Sequence, residues 1–389
     1  MTRVVLAPYR VASQPRAAGH FWVYLQYVDA LLRAGCDVWW LEEMTKKADP
    51  AKDGVHAAQL RDRLRPFGLA DRVILYRWPP GAGAEVTDPT YLTMTAQRAE
   101  AVLATTDLLL NFHYALPGSM LARFRRTALI DIDPGLLQLW WANEQLQVQP
   151  HDVYFSIGEH LPPVPHETTA SWVHTPPVVS VDLWPYRFDP ECTSYTSVSS
   201  WHSSSYVLRN GSLLDTNKRL TYLDYLDLPR RAGRSLELAT VLSEHEAGDR
   251  ALLEGHGWAL RDARTVAGDP AGYQSYVQSS RGELGLAKPL YVLLANAWVS
   301  DRTACYLASG KPAVVQHTGG SSYLPDGLGL LRFSTVDEAA DALAEVDADY
   351  ERHCRAAREI AETYFSALPT VTRMLDHALG RGSRLRPGA

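Results

Sequence analysis

Arg3-Val-Val-Leu-Ala7, a loop ending at Gly19-His20, a periodic run from Phe21 to Ala34, then Gly35 and Asp37-Val-Trp-Trp-Leu41 make up the stretch that decides the fold. The two short apolar runs have the length of buried strands. Between them Trp22, Leu25, Val28, Leu31 and Leu32 recur at helical spacing, and Gly35 suits a helix stop. Strand, helix and strand in this order form a βαβ unit, which joins parallel strands.

The same alternation continues outward. Further buried-strand candidates fall at 73–76, 107–112, 128–132 and 153–157, with helical stretches at 55–64 and 94–104. After Trp172 the composition changes, and Pro176, Pro177, Pro185 and Pro190 punctuate a stretch that reads as a linker. A second series follows, with strands expected at 195–200, 236–240, 259–261, 284–287, 312–316 and 328–333. Helices are expected between them at 220–226, 246–256, 270–278, 303–308 and 336–346, and amphipathic segments at 349–365 and 371–379. The expected fold is α/β, with two Rossmann-like doubly wound domains facing a cleft. The expected boundaries are 1–185 for the first domain, 186–365 for the second, and 366–389 for a C-terminal helix, crossing back to the first domain, and a flexible tail. Open α/β sheets bind ligands beyond the carboxyl ends of their strands, so both sheets would address the cleft.

At 389 residues the chain exceeds the size at which a single core stops growing, which agrees with two domains. Its 46% hydrophobic and 21% charged residues are those of a globular protein. With 38 basic and 44 acidic residues and no basic stretch, a phosphate-tracking nucleic-acid surface has no support, so no nucleic-acid partner is expected. Met1 to Pro8 reads as a first strand rather than an export signal, and no apolar run is long enough for stable membrane insertion. Cys36, Cys192, Cys305 and Cys354 lie far apart without a CxxC pair, which argues against a structural zinc and fits a reducing cytoplasm. Gly81-Ala-Gly83 lacks the third glycine of a dinucleotide fingerprint, since Val86 stands in its place.

The most informative segment for chemistry runs from Ser279-Ser-Arg-Gly-Glu283 through Lys288 to Trp298-Val-Ser-Asp-Arg-Thr303 and Gly310-Lys-Pro312. Ser300 or Asp301 can cap a helix whose free N–H groups suit a pyrophosphate. Arg302 in its first turn offers a bidentate phosphate donor, and Lys288 a point charge. Read purely structurally, Ser300 caps the helix and Arg302 pairs with Asp301 or Glu283.

Beyond these residues there is a resemblance. Thr196-Ser-Val-Ser-Ser-Trp201, Lys218-Arg219, His256-Gly-Trp258, Ser280-Arg-Gly-Glu283, Ser300-Asp-Arg-Thr303, Tyr306-Leu-Ala-Ser-Gly-Lys-Pro312 and Gln316-His-Thr-Gly319 follow one another in order. Gly19-His20, Asp131-Ile-Asp-Pro134, His151 and Gly158-Glu159 add pieces in the first half. Together they resemble a group of bacterial glycosyltransferases with the GT-B fold. The resemblance implies a hexosyltransferase-type enzyme that needs no metal or cofactor, with a nucleoside diphosphate sugar as co-substrate and a small-molecule or glycan acceptor. It implies donor binding by Lys218, Arg219, Glu283, Lys288, Ser300, Arg302 and Thr303, with Thr318, Gly319 and Gly320 where a turn approaches the sugar or phosphates. It departs from the glycogen-synthase-like pattern of two glutamates eight positions apart, because Ala297 and Cys305 stand in those places. Glu283 either takes over a carboxylate role or pairs with Lys288.

In the first half, His20 at a helix start facing the cleft is the expected base, oriented by Asp131 and Asp133, with His113 as its rival. Gly19, His113 and Glu159 are expected around the acceptor. A nucleotide-sugar epimerase or hydrolase, and a non-catalytic sugar-nucleotide-binding module, are the alternatives on the same fold. The transferase reading predicts that Arg302→Ala and Lys218→Ala weaken nucleoside diphosphate binding, while His20→Ala lowers turnover. Donor base, acceptor, stereochemical outcome and oligomeric state stay open.

Overall fold

A computed structural model describes residues 1–45, 49–79, 88–162, 171–202, 206–209 and 211–381. The run at 81–86 and the tail 382–389 lie outside the described residues.

The opening βαβ unit forms as its apolar spacing requires, with β1 (Arg3–Ala7) and β2 (Asp37–Glu43) parallel on either side of the helix Ala18–Arg33. β3 (Val73–Arg77), β4 (Thr90–Tyr91), β5 (Leu108–Asn111), β6 (Thr127–Asp131), β7 (Val153–Ser156) and β8 (Trp172–His174) complete the first sheet. Its order is β4-β3-β2-β1-β5-β6-β7-β8, parallel except for the β3–β4 pair. The order reverses between β1 and β5, so the loops after these strands, with the loop after β6 beside them, open on the switch point where such sheets hold ligands.

The second sheet repeats the device. β9 (Ser194–Val198) is followed by a hairpin of β10 (Tyr206–Arg209) and β11 (Ser212–Asp215). Then come β12 (Ser235–Thr240), β13 (Ala259–Asp262), β14 (Gly282–Gly285), β15 (Ala313–Gln316) and β16 (Leu330–Phe333). The order β13-β12-β9-β14-β15-β16 is wholly parallel, and its switch point lies between β9 and β14. The fold is therefore the expected pair of doubly wound α/β units.

Several elements differ from the sequence reading. Trp172–His174 was expected at the linker boundary, yet it pairs with β7 as an edge strand. The β10–β11 hairpin was not foreseen, because its support is tertiary: the Tyr206 carbonyl accepts from Trp140 Nε1 at 3.2 Å and the Leu208 carbonyl from Asn143 Nδ2 at 2.7 Å. Short helices at Leu136–Ala142 and Pro289–Leu294 were also unforeseen, being too brief to show a period.

The halves are joined by apolar packing as well as by the chain. Trp22 packs against the buried Trp184, the rings tilted with centroids 4.8 Å apart, and its indole N–H donates to the Pro270 carbonyl at 2.9 Å. A Cβ on Gly19 would stand 2.9 Å from the Tyr273 ring, so the helix Ala18–Arg33 approaches the second half closely only because this residue is glycine. The C-terminal helix Ala367–Leu379 packs back on Ala18–Arg33, locked where Val179 N–H donates to Phe365 and Ala367 N–H to Val179.

Candidate functional site

The second half brings three cations together. Lys218 opens the helix Lys218–Asp224 after the hairpin, Lys288 follows β14, and Arg302 stands in the first turn of the helix Asp301–Ala308. Lys218 is 9% exposed, lies 5.8 Å from the Trp298 ring centre, and has no hydrogen bond or ion pair to a described residue. Burial first, then the charges of Arg302 and Lys288, hold its ammonium well below the usual lysine range. Trp298, Ser300, Arg302 and Thr303 line a small open recess with Gly285 and Ala287.

Arg302 is already engaged. Its Nε donates to Glu283 Oε1 at 2.6 Å and its Nη1 to the Val198 carbonyl at 2.7 Å, with both side chains buried. Glu283 therefore pairs with Arg302 and not with Lys288, and its Oε2 takes no hydrogen bond from a described residue. Lys288 Nζ instead reaches across the cleft to Asp133 Oδ1 at 2.9 Å. Tyr291, which no sequence signal singled out, donates to the same oxygen at 2.7 Å. Burial would raise the Asp133 carboxyl, but Lys288 and Tyr291 overcome it and hold the group below its ordinary value.

The two aspartates of the first half divide their work. Asp131 is fully buried and accepts from Gln138 at 2.9 Å and Ser156 at 2.8 Å, pinning the end of β6; burial pushes its carboxyl up to about 6. Asp133 faces the cleft. Neither hydrogen-bonds His20. His20 Nε2 donates to the Tyr9 carbonyl at 2.5 Å, with the Tyr24 hydroxyl 3.3 Å away. A carbonyl cannot donate, so the proton sits on Nε2 and the lone pair on Nδ1. Burial lowers the imidazole from its usual value, against the opposing Tyr9 bond and the Asp133 charge. The orienter expected to be a carboxylate is thus a backbone carbonyl, set by the loop after β1. His113 stacks on Tyr9 at 4.9 Å, and burial and then Arg10 push it down to about 4.

Several expected site residues serve the scaffold. Arg219 points to Asp249, with bonds of 2.6 and 2.7 Å, because that carboxylate lies across from the helix start. Ser300 caps its helix, accepting from Arg302 N–H at 3.2 Å, and Thr303 is buried. Thr318 donates to the Trp298 carbonyl at 2.7 Å. Gly319 has φ of +112°, and a Cβ there would stand 2.4 Å from the Ala295 carbonyl oxygen, so backbone crowding explains this glycine. The exposed Gly320 accepts from His160 at 3.1 Å. Glu159 is held by Ser321 and by Ser322, whose N–H and hydroxyl lie at 2.9 and 2.8 Å, and so clasps the two halves. Gly19 lies against Tyr273, as above.

The place of the missing glutamate has its own structure. Ala295 and Ala297 both take positive φ, +48° and +56°. Asn296 between them is fully buried and donates to the Pro134 carbonyl at 2.6 Å, which ties this strained turn to the loop carrying Asp133.

Asp301, which the sequence offered as a cap or as a partner for Arg302, lies beside the helix Ala18–Arg33 with Gly19, Trp22 and Gln26. Burial outweighs the bond from its own backbone N–H, and with the charge on Asp133 pushes its carboxyl up to about 7. The unfolded chain ionises near the ordinary value of 3.8, so between these values the folded state keeps a proton that the unfolded state releases. Stability therefore falls as pH rises through that window. Asp301→Asn is expected to leave the Tm unchanged near pH 4 and to raise it by about 2 °C or more near pH 8. Thermal melts showing the same shift at both values would contradict this.

Among the described residues, no group of three His, Cys, Asp or Glu side chains is arranged to hold a metal, and no helix is long and apolar enough to cross a membrane. No protein-family model matches the chain, and no curated protein matches it. Solved structures do. A glycosyltransferase from Rickettsia africae ESF-5 is 10% identical over 98% of this chain and 99% of its own, with a TM-score of 0.58. An alpha-glucosyltransferase in complex with UDP and a 13-mer DNA is 12% identical over 97% and 100%, with a TM-score of 0.62. Sucrose-phosphate synthase from Thermosynechococcus elongatus is 13% identical over 98% and 100%, with a TM-score of 0.53. At such identities the likeness is one of fold. The chain thus resembles the GT-B glycosyltransferases in architecture, with two Rossmann-like units closing on one cleft.

Proposed function

We propose that the protein transfers a hexose from a nucleoside diphosphate to a hydroxyl of a small-molecule or glycan acceptor. The observation that carries this reading is the convergence of Lys218, Lys288 and Arg302 beyond the second sheet, opposite His20 and Asp133 beyond the first. Breaking the glycosyl–phosphate bond builds negative charge on the diphosphate. Lys218 and Lys288, both largely shielded from water, supply the compensating charge, which is the basis for proposing a metal-independent reaction. His20 Nδ1 carries the lone pair that takes the acceptor proton, and its burial keeps the ring neutral at physiological pH. Uridine diphosphate sugars are the first donors to test, since structural neighbours are complexed with UDP.

The test is turnover of a uridine diphosphate sugar by the full chain with a panel of glycan, small-molecule and duplex DNA acceptors. The DNA arm is included because one structural neighbour is complexed with DNA. His20→Ala is expected to lower turnover about 100-fold while leaving uridine diphosphate affinity within about twofold. Unchanged turnover would remove His20 from the mechanism. Donor consumption at full rate without any acceptor would favour the epimerase or hydrolase alternative, and donor binding with no turnover the binding module.

A further inference from the structure

Asp133 and Lys288 form the one ion pair that joins the two sheet-bearing halves among the described residues. Its geometry is lopsided. Oδ1 of Asp133 accepts from both Lys288 and Tyr291, whereas Oδ2 takes no hydrogen bond from a described residue. Lys288 also lies close enough to Lys218 for the two to repel. Arg302 is committed to Glu283, and Lys218 has no counter-ion. A sugar diphosphate with its two negative charges therefore meets one uncommitted cation. With Arg302 bonded to Glu283, the remaining cation of the three is the ammonium that Asp133 holds.

We propose that Lys288 is shared between Asp133 and the donor, so that diphosphate binding draws the ammonium away and frees the Asp133 carboxylate beside His20. This rests on the donor site proposed above. The exchange needs no covalent step: one charge-assisted contact replaces another, and the lysine keeps its proton. Its consequence lies on the other side of the cleft. Asp133 already acts on His20 in the direction of greater basicity, and Lys288 offsets that negative charge while the pair is formed. The base is strengthened only once the donor is seated, which places donor binding before acceptor activation.

The proposal has an unusual sign. Asp133 and the diphosphate compete for one cation, so removing the aspartate charge tightens binding. Uridine diphosphate affinity, measured by calorimetry on the full chain, is expected to rise about threefold or more in Asp133→Asn. It is expected to fall in Lys288→Met, and the double variant to bind no tighter than Lys288→Met alone. Asp133→Ser, which also removes the charge, serves if the asparagine variant folds poorly. In the wild type the acidic limb of kcat, measured with donor saturating, should lie at higher pH than that of kcat/KM for the donor, and the gap should close in Asp133→Asn. Unchanged or weaker binding in both Asp133 variants, or limbs that coincide in the wild type, overturns the shared lysine. If Lys218→Met also leaves affinity unchanged, or no nucleoside diphosphate binds at all, the donor site itself is wrongly placed. Weaker binding in Lys218→Met with no gain in the Asp133 variants refutes the sharing alone.

Discussion

Arg302→Ala is expected to lower the stability of the protein by about 3–5 kcal/mol, the cost of leaving a buried charge without its partner. Glu283 is fully buried, its Oε1 is bonded to Arg302, and its Oε2 has no other hydrogen bond to fall back on. Truncation also strands the Val198 carbonyl at the end of β9. Sequence reasoning expected this variant chiefly to weaken nucleoside diphosphate binding. The structure makes stability the larger effect, with affinity affected as well because Arg302 lines the recess. The two separate in Arg302→Ala with Glu283→Gln, where neutralising the orphan carboxylate should recover much of the stability and none of the affinity. Chemical denaturation and ligand calorimetry on the same samples read both. A single variant that melts like the wild type would show that the pair contributes nothing.

Lys218→Met is expected to weaken nucleoside diphosphate binding by about tenfold or more, with little loss of stability. Lys218 is buried without an ion pair to a described residue, so methionine of similar length removes a desolvated charge that the more distant Glu283 and Asp133 offset only in part. Its ammonium is held below the usual lysine range by burial and by Arg302 and Lys288. The charged form binds the diphosphate, so affinity in the wild type should fall as pH rises through that depressed value. Binding by Lys218→Met should lose this part of the slope. Equal affinity and equal pH dependence in the two proteins would remove Lys218 from the donor site.

Periodicity carried most of the architecture. The apolar runs at β1, β2 and β5 are buried on both faces, and such strands announce themselves without alternation. Elements whose partners are distant in sequence were not legible. The β10–β11 hairpin is an example: Tyr206 and Leu213 are exposed, and its hold comes from Trp140, Asn143 and Gln145 of the other half. In the same way, charged residues could be listed from the sequence but not paired. Lys288 stands five positions from Glu283, yet its partner is Asp133, 155 residues away, while Glu283 turns to Arg302.

The sequence by itself determined two parallel α/β units, the helix starts that face the cleft, and the residue types gathered there, because strand and helix periods are local properties of the chain. Only the tertiary structure decided which of those residues are available. Arg219, Ser300, Thr318, Gly319 and Glu159 are engaged by the scaffold, whereas Lys218 has no hydrogen bond or ion pair to a described residue and Asp133 faces the cleft. The reason is physical: a charge inside a fold takes the nearest counter-charge in space, and that distance is set by how two sheets dock, not by spacing along the chain.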